Sequence, residues 1–154
     1  MKKILYSIFA VLTLSCTFVA CSSDDSDPSY DHSANAATAS AATYTGTWLR
    51  WQEGTETESA NGSITLAAGS NGYTTNMSFS CADFELNASS HANIAWANDG
   101  FVFNQNVTND NEANELGTIF AGCIINGKIS TSFSRTTKVG RKTTTYYYSF
   151  EGTK

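Results

Sequence analysis

Four Asn-Gly or Asp-Gly pairs, Asn61-Gly62, Asn71-Gly72, Asp99-Gly100 and Asn126-Gly127, punctuate a chain that otherwise alternates apolar with polar residues from Tyr44 onward. Such pairs accept the positive φ angles of tight hairpin turns, so they favour antiparallel strands joined end to end. The alternation predicts strands at 44–52, 62–68, 72–80, 91–97, 101–107, 117–125, 128–135 and 143–151, with a short piece at 84–87. No window shows a competing helical period. The region contains no proline and is rich in aromatics, Thr, Ser, Asn and Gly, as a sheet protein should be. The expected fold is all-β: an antiparallel up-and-down meander of about eight strands, closed into a small barrel, with a folded sandwich as the other arrangement such a meander allows.

One hairpin fixes its own register. A two-residue Asn126-Gly127 turn pairs Ile125 with Lys128, Ile124 with Ile129, Gly122 with Thr131 and Phe120 with Phe133. The apolar partners then share one face, and Cys123, Ser130, Ser132 and Ser134 share the other. The same alternation places Trp48, Tyr73, Phe79, Trp96, Phe101, Phe103, Phe120, Phe133 and Tyr146 inside, together with Ile64, Leu66, Met77, Ile94, Val107, Tyr148 and Phe150. Trp51 and Tyr147 are out of phase with these. Near one another on the outer face they would make a sugar-stacking surface; packing at an edge is the other reading.

The N-terminal segment is of a different kind. Lys2 and Lys3 open an apolar stretch from Ile4 to Ala20, interrupted by Ser7, Thr13, Ser15 and Thr17 and followed by acidic residues. This reads as a secretory signal peptide rather than a spanning helix. The junction Phe18-Val19-Ala20-Cys21 resembles a bacterial lipobox. The resemblance implies cleavage after residue 20 and lipid attachment at Cys21. Cys16 is the competing site, but Thr13 is a poor residue three places upstream, and cleavage there leaves an apolar stub at 17–20. The stretch Ser22-Ser23-Asp24-Asp25-Ser26-Asp27 is similar to the acidic export tag of Bacteroidetes surface lipoproteins. That likeness implies an outer-membrane lipoprotein facing outward.

Residues 21–43 are Ser, Asp, Ala, Asn and Thr with one proline, a disordered polar tether reaching roughly 25–30 Å. Residues 44–154 are long enough for one domain. Loss of residues 1–20 takes Lys2 and Lys3 from the nine basic residues and leaves all fourteen acids, a formal charge of −7. Nucleic acid is therefore excluded as a partner class, since phosphate binding requires a basic face. Passive adhesion to an anionic membrane is excluded likewise, so the lipid must do the anchoring.

The first predicted strand contains Gly46-Thr47-Trp48, which resembles the Gly-x-Trp signature of lipocalin and wider calycin barrels. By that resemblance Trp48 closes the barrel floor and a basic residue near the C-terminus stacks on it, Lys154 being the nearest candidate. The chain is more similar to the lipocalin-like domains of Bacteroidetes lipoproteins, through Tyr44–Trp48, through Asn126-Gly127-Lys128-Ile129-Ser130, and through Gly140-Arg141-Lys142 to Gly152.

Catalytic patterns are missing from the sequence. His32 falls in the tether and His91 in a Ser-Ser-His-Ala-Asn stretch that reads as a turn. No residue set has metal-ligand spacing, and there is neither a nucleophile elbow nor a phosphate-cradling glycine loop. Asp83 and Glu85 alternate with Phe84 and Leu86 as a solvated face does. The chain reads as a non-enzyme without cofactor or metal. Cys81 and Cys123 are the only cysteines of the domain, and export permits a disulfide. The hairpin register opposes one, because it turns Cys123 outward while Cys81 continues the inward parity of Phe79.

Arg135, Lys138, Arg141 and Lys142 put four of seven mature basic residues into one hairpin. They serve either to blunt a sheet edge or to contact an anion or glycan. Two functions follow. In the first, a lipid-anchored barrel binds a small, largely apolar ligand inside. In the second, the barrel is filled by its own side chains, and polar loops at 53–61 and 108–115 engage a surface protein or glycan. An eight-stranded barrel permits either, so the volume inside decides between them.

Overall fold

The computed structural model describes residues 35–105 and 114–154. A short helix, α1 (Ala36–Ser40), leads into eight strands: β1 (Ala42–Trp51), β2 (Glu58–Ala68), β3 (Thr74–Cys81), β4 (Leu86–Ala97), β5 (Gly100–Asn104), β6 (Ala121–Ile125), β7 (Lys128–Val139) and β8 (Lys142–Thr153). Each strand pairs antiparallel with the next, and β8 pairs with β1 to close the barrel. The architecture is that of a small calycin-like barrel, and no sandwich forms. The segments expected to be signal peptide and tether, with Cys21, lie outside the described residues up to residue 34.

Turn chemistry sets the register. Asn126 and Gly127 both adopt positive φ, 51° and 74°, the geometry of a tight type I′ hairpin. Ile125 then faces Lys128, Ile124 faces Ile129 and Gly122 faces Thr131, the pairs the sequence predicts. The β7–β8 turn uses Gly140 at φ 63° as its first central residue, the requirement of a type II′ turn.

The Gly-x-Trp pattern has a packing cause. Gly62, Gly46 and Gly152 lie side by side across β2, β1 and β8. A Cβ on Gly62 would strike the Trp48 indole and the Ser80 carbonyl oxygen; one on Gly46 would strike the Glu151 carbonyl oxygen. On Gly152 it would meet the Phe150 ring. This row of missing side chains makes room for two large rings. Trp48 is wholly buried, its indole N–H donates to the Ser80 carbonyl at 3.1 Å, and its ring packs on Phe150 with centroids 4.7 Å apart. Among the described residues no basic side chain is seen over Trp48: Lys154 is exposed, and the rings packed on Trp48 are Phe79, Phe133 and Phe150.

The antiparallel course gives the barrel two unlike ends. The β2–β3, β4–β5 and β6–β7 connections share one mouth with α1. Asn35 caps α1 by accepting from the Thr38 N–H, Ala36, Ala37 and Ser40 are buried, and the Tyr44 hydroxyl donates to the Ser40 carbonyl. Ala37 N–H donates to Gly72. Residues 35–43, expected to belong to the tether, are therefore part of the folded domain. The other mouth carries the β1–β2, β3–β4, β5–β6 and β7–β8 connections.

Several expectations need correction. Asn61-Gly62 is not a turn but lies within β2, where Gly62 serves Trp48. The piece at 84–87 divides between a 3-10 turn, Ala82–Phe84, and the start of β4. The strand expected at 117–125 begins at Ala121. His91 is not in a turn; it lies on the outward side of β4 and is buried there. Tyr73, expected inside, is 75% exposed, because it sits in the β2–β3 connection before the alternation of β3 begins. Val107 falls outside the described residues.

Candidate functional site

The interior is occupied by rings. Phe79 packs on Phe120 at 5.3 Å and on Phe133 at 5.8 Å, and Phe133 stacks on Tyr148 at 5.1 Å and 18°. Phe103 reaches Phe120, and Trp96 packs on Phe101 at 4.4 Å. Trp48, Ile64, Phe79, Ile129 and Phe150 are wholly buried, so no water-sized void opens against these five side chains. Of the predicted interior residues, Trp48, Phe79, Phe101, Phe103, Phe120 and Phe133 are buried, and Trp96 and Tyr146 are half-buried at the rims. The rings of Trp48, Phe79, Phe120, Phe133, Tyr148 and Phe150 meet one another across the barrel.

Cys81 and Cys123 form no disulfide. Cys81 continues the buried parity of Met77 and Phe79, whereas Cys123 pairs with Val102 and Ser130 on the opposite face of the sheet. Thiols on opposite faces of one sheet cannot bring their Cβ atoms together.

The mouth opposite α1 is where charge and exposure gather. β6 pairs with β7 only as far as Ser132, and β1 pairs with β8 only as far as Tyr147. Residues 133–146 therefore continue as a two-stranded arm beyond their sheet neighbours. One face of the arm continues the barrel interior and carries Arg135 opposite Tyr146 and Thr137 opposite Thr144. The other carries Thr136 opposite Thr145, with hydroxyls 2.9 Å apart, and Lys138 opposite Thr143.

Lys138, Arg141 and Lys142 are exposed and Arg135 is half-buried. No ion pair joins these four to an acid among the described residues. Between Glu115 and Glu151 the chain has no Asp or Glu at all. On the β1–β2 connection at the same mouth, Glu53 and Glu56 are exposed.

Sequence reasoning missed Arg50, although it shares the inward parity of Trp48. Its guanidinium stands 4.4 Å over the Phe84 ring and 5.2 Å from that of Tyr146, and it pairs with Glu58 at 2.7 Å. The hydrogen bond that Arg50 donates to Glu58 raises the already high pKa of the guanidinium further. Arg50 thus closes this mouth with a charged lid over an aromatic floor. Phe84 comes within reach because Glu85 adopts a left-handed conformation, φ 51°, which ends the 3-10 turn. Asp83 and Glu85 themselves are exposed, as the solvated-face reading expects.

Of the two loops expected to make contacts, 53–61 shrinks to a connection at 52–57, since β2 starts at Glu58. In the other, 108–113 lies outside the described residues. Glu115 runs beside β4: its N–H donates to the Ser89 carbonyl, and its carboxylate accepts from the Ser89 N–H and hydroxyl, both at 2.7 Å. Those bonds hold the Glu115 carboxyl below its ordinary range.

On the outer face at the base of the arm, Trp51 and Tyr147 are direct cross-strand partners, with rings stacked at 5.6 Å and 17°. Among the described residues no group of three metal-ligating side chains occurs, and no helix is long and apolar enough to cross a membrane. A scan against protein-family models and searches of curated proteins and of solved structures found no match to this chain.

Proposed function

We propose that this chain is a non-catalytic lipoprotein of the outer membrane, anchored through Cys21, whose filled barrel presents the 133–146 arm to a glycan at the cell surface. The observation that carries the reading is the pairing of a packed interior with a basic arm that outruns its sheet neighbours. A barrel whose centre is occupied by Trp48, Phe79 and Phe133 offers its surface rather than its inside. Asn35, where the described residues begin, lies at the opposite mouth, so a leash from Cys21 would join the barrel at the end away from the arm. The competing idea of a small apolar ligand loses its main support with the meeting of the rings.

Binding of the full lipidated chain, in detergent micelles, to a panel of immobilised polysaccharides tests this. At least one polysaccharide should be retained by the wild type and lost when Arg135, Lys138, Arg141 and Lys142 are all replaced by serine. A variant that keeps every interaction would refute a contact at the arm.

A further inference from the structure

We infer that the outer face of the arm is a binding strip for an acidic polysaccharide, with a sugar ring seated over Ser134 against Tyr147. This rests on the reading of the arm as the contact and goes further by fixing the site and the charge of its ligand. Tyr147 stands between Trp51 on β1 and Ser134 on β7 in one cross-strand row. The indole covers one face of the phenol ring, at 17° and 5.6 Å. The other side of the row is Ser134, too small to cover the second face, and Tyr147 remains 37% exposed. An aromatic face left open beside a small residue, and backed by a second ring, is a rigid platform for the C–H face of a sugar.

The next rows out along the arm continue the same chemistry. First come the paired hydroxyls of Thr136 and Thr145, which can exchange hydrogen bonds with sugar hydroxyls. Then comes Lys138 opposite Thr143, with Arg141 in the turn beyond. Rows on one face are two residues apart, so ring, hydroxyl pair and cation span roughly 13 Å, room for more than one sugar unit. Among the described residues no acid pairs with Lys138 or Arg141, so an anionic group on the glycan has two cations to meet there, and a neutral glycan has no such group to offer. Carboxylate or sulfate groups on the sugar supply the anion. An acidic peptide would satisfy the cations but not the flat face of Tyr147.

The test uses the full lipidated chain in micelles with three probes: alginate as a polyuronate, dextran as a neutral polymer, and polyglutamate. Alginate should bind, and weaken as salt is raised to 1 M, where screening reaches about 3 Å. Ser134→Trp, which fills the seat, and Tyr147→Ala should each lower alginate affinity at least ten-fold, whereas Tyr147→Phe should retain it. Lys138→Ser with Arg141→Ser should do the same as Ser134→Trp, and dextran should bind weakly throughout. Dextran binding equal to alginate, lost in Tyr147→Ala but unchanged by the cation substitutions, would overturn the acidic ligand while leaving the arm as the contact. Equal binding of polyglutamate with no effect of Ser134→Trp would overturn the sugar seat. Alginate binding unchanged when all four basic residues are serine would overturn both this inference and the broader reading.

Discussion

Single side chains carry the account where they meet inside the barrel. Phe79 contacts Trp48, Phe120 and Phe133 and is wholly buried. Phe79→Ala should cost about 3–5 kcal/mol in chemical denaturation. If the rings fill the barrel as described, the same variant should gain an apolar site, read as a stabilising shift in melting temperature on adding benzene that the wild type does not show. Gly62→Ala tests the room made for Trp48: the added methyl meets both the indole and a backbone oxygen, and a loss of about 1–3 kcal/mol follows from overpacking. Glu115 tests electrostatics. Its folded pKa lies below the unfolded value of ~4.3, so its contribution is fully present above that value and fades as pH falls through the lower folded value. The stability gap between wild type and Glu115→Gln should be constant from pH 6 to 8 and shrink as pH falls below ~4; a gap that grows on acidification would contradict the Ser89 contacts.

At the scale of elements, Glu85 gives a separate test. A left-handed conformation costs a non-glycine residue roughly 1–2 kcal/mol, so Glu85→Gly should stabilise the β3–β4 link by a comparable or smaller amount in thermal unfolding. What the sequence makes legible is the set of strands whose turns and faces agree. The β6–β7 hairpin is the clearest case, because Asn126-Gly127 and the Ile124/Ile129 pairing specify one register together. The misreadings have physical causes. Asn61-Gly62 has turn composition, but its glycine is there for an indole 14 residues upstream, a distant contact that no local pattern displays. Tyr73 follows the parity of β3 on paper, yet it precedes the first paired residue, Thr74, so the alternation does not apply to it. His91 reads as a turn because of its polar neighbours, while β4 in fact runs unbroken for 12 residues through them. The basic cluster was legible as a cluster. Its extension past β6 and β1 was not, because where neighbouring strands stop depends on pairing across the barrel.

The whole molecule has polarity from end to end. α1 packs at one mouth, and the arm projects from the other. Under the proposed anchoring at Cys21, Cys21→Ser should abolish incorporation of labelled palmitate and release the chain from the membrane fraction, while Cys16→Ser should change neither. The central claim, that the barrel is a packed support and the arm is the contact, is tested most directly by residue-resolved NMR of the full lipidated chain in micelles, titrated with the polysaccharide that binds it. Shifts should concentrate in residues 133–147 and at Trp51, with the indole N–H of Trp48 and the rings of Phe79 and Phe150 unmoved. Shifts centred on those interior groups, with the arm silent, would contradict it.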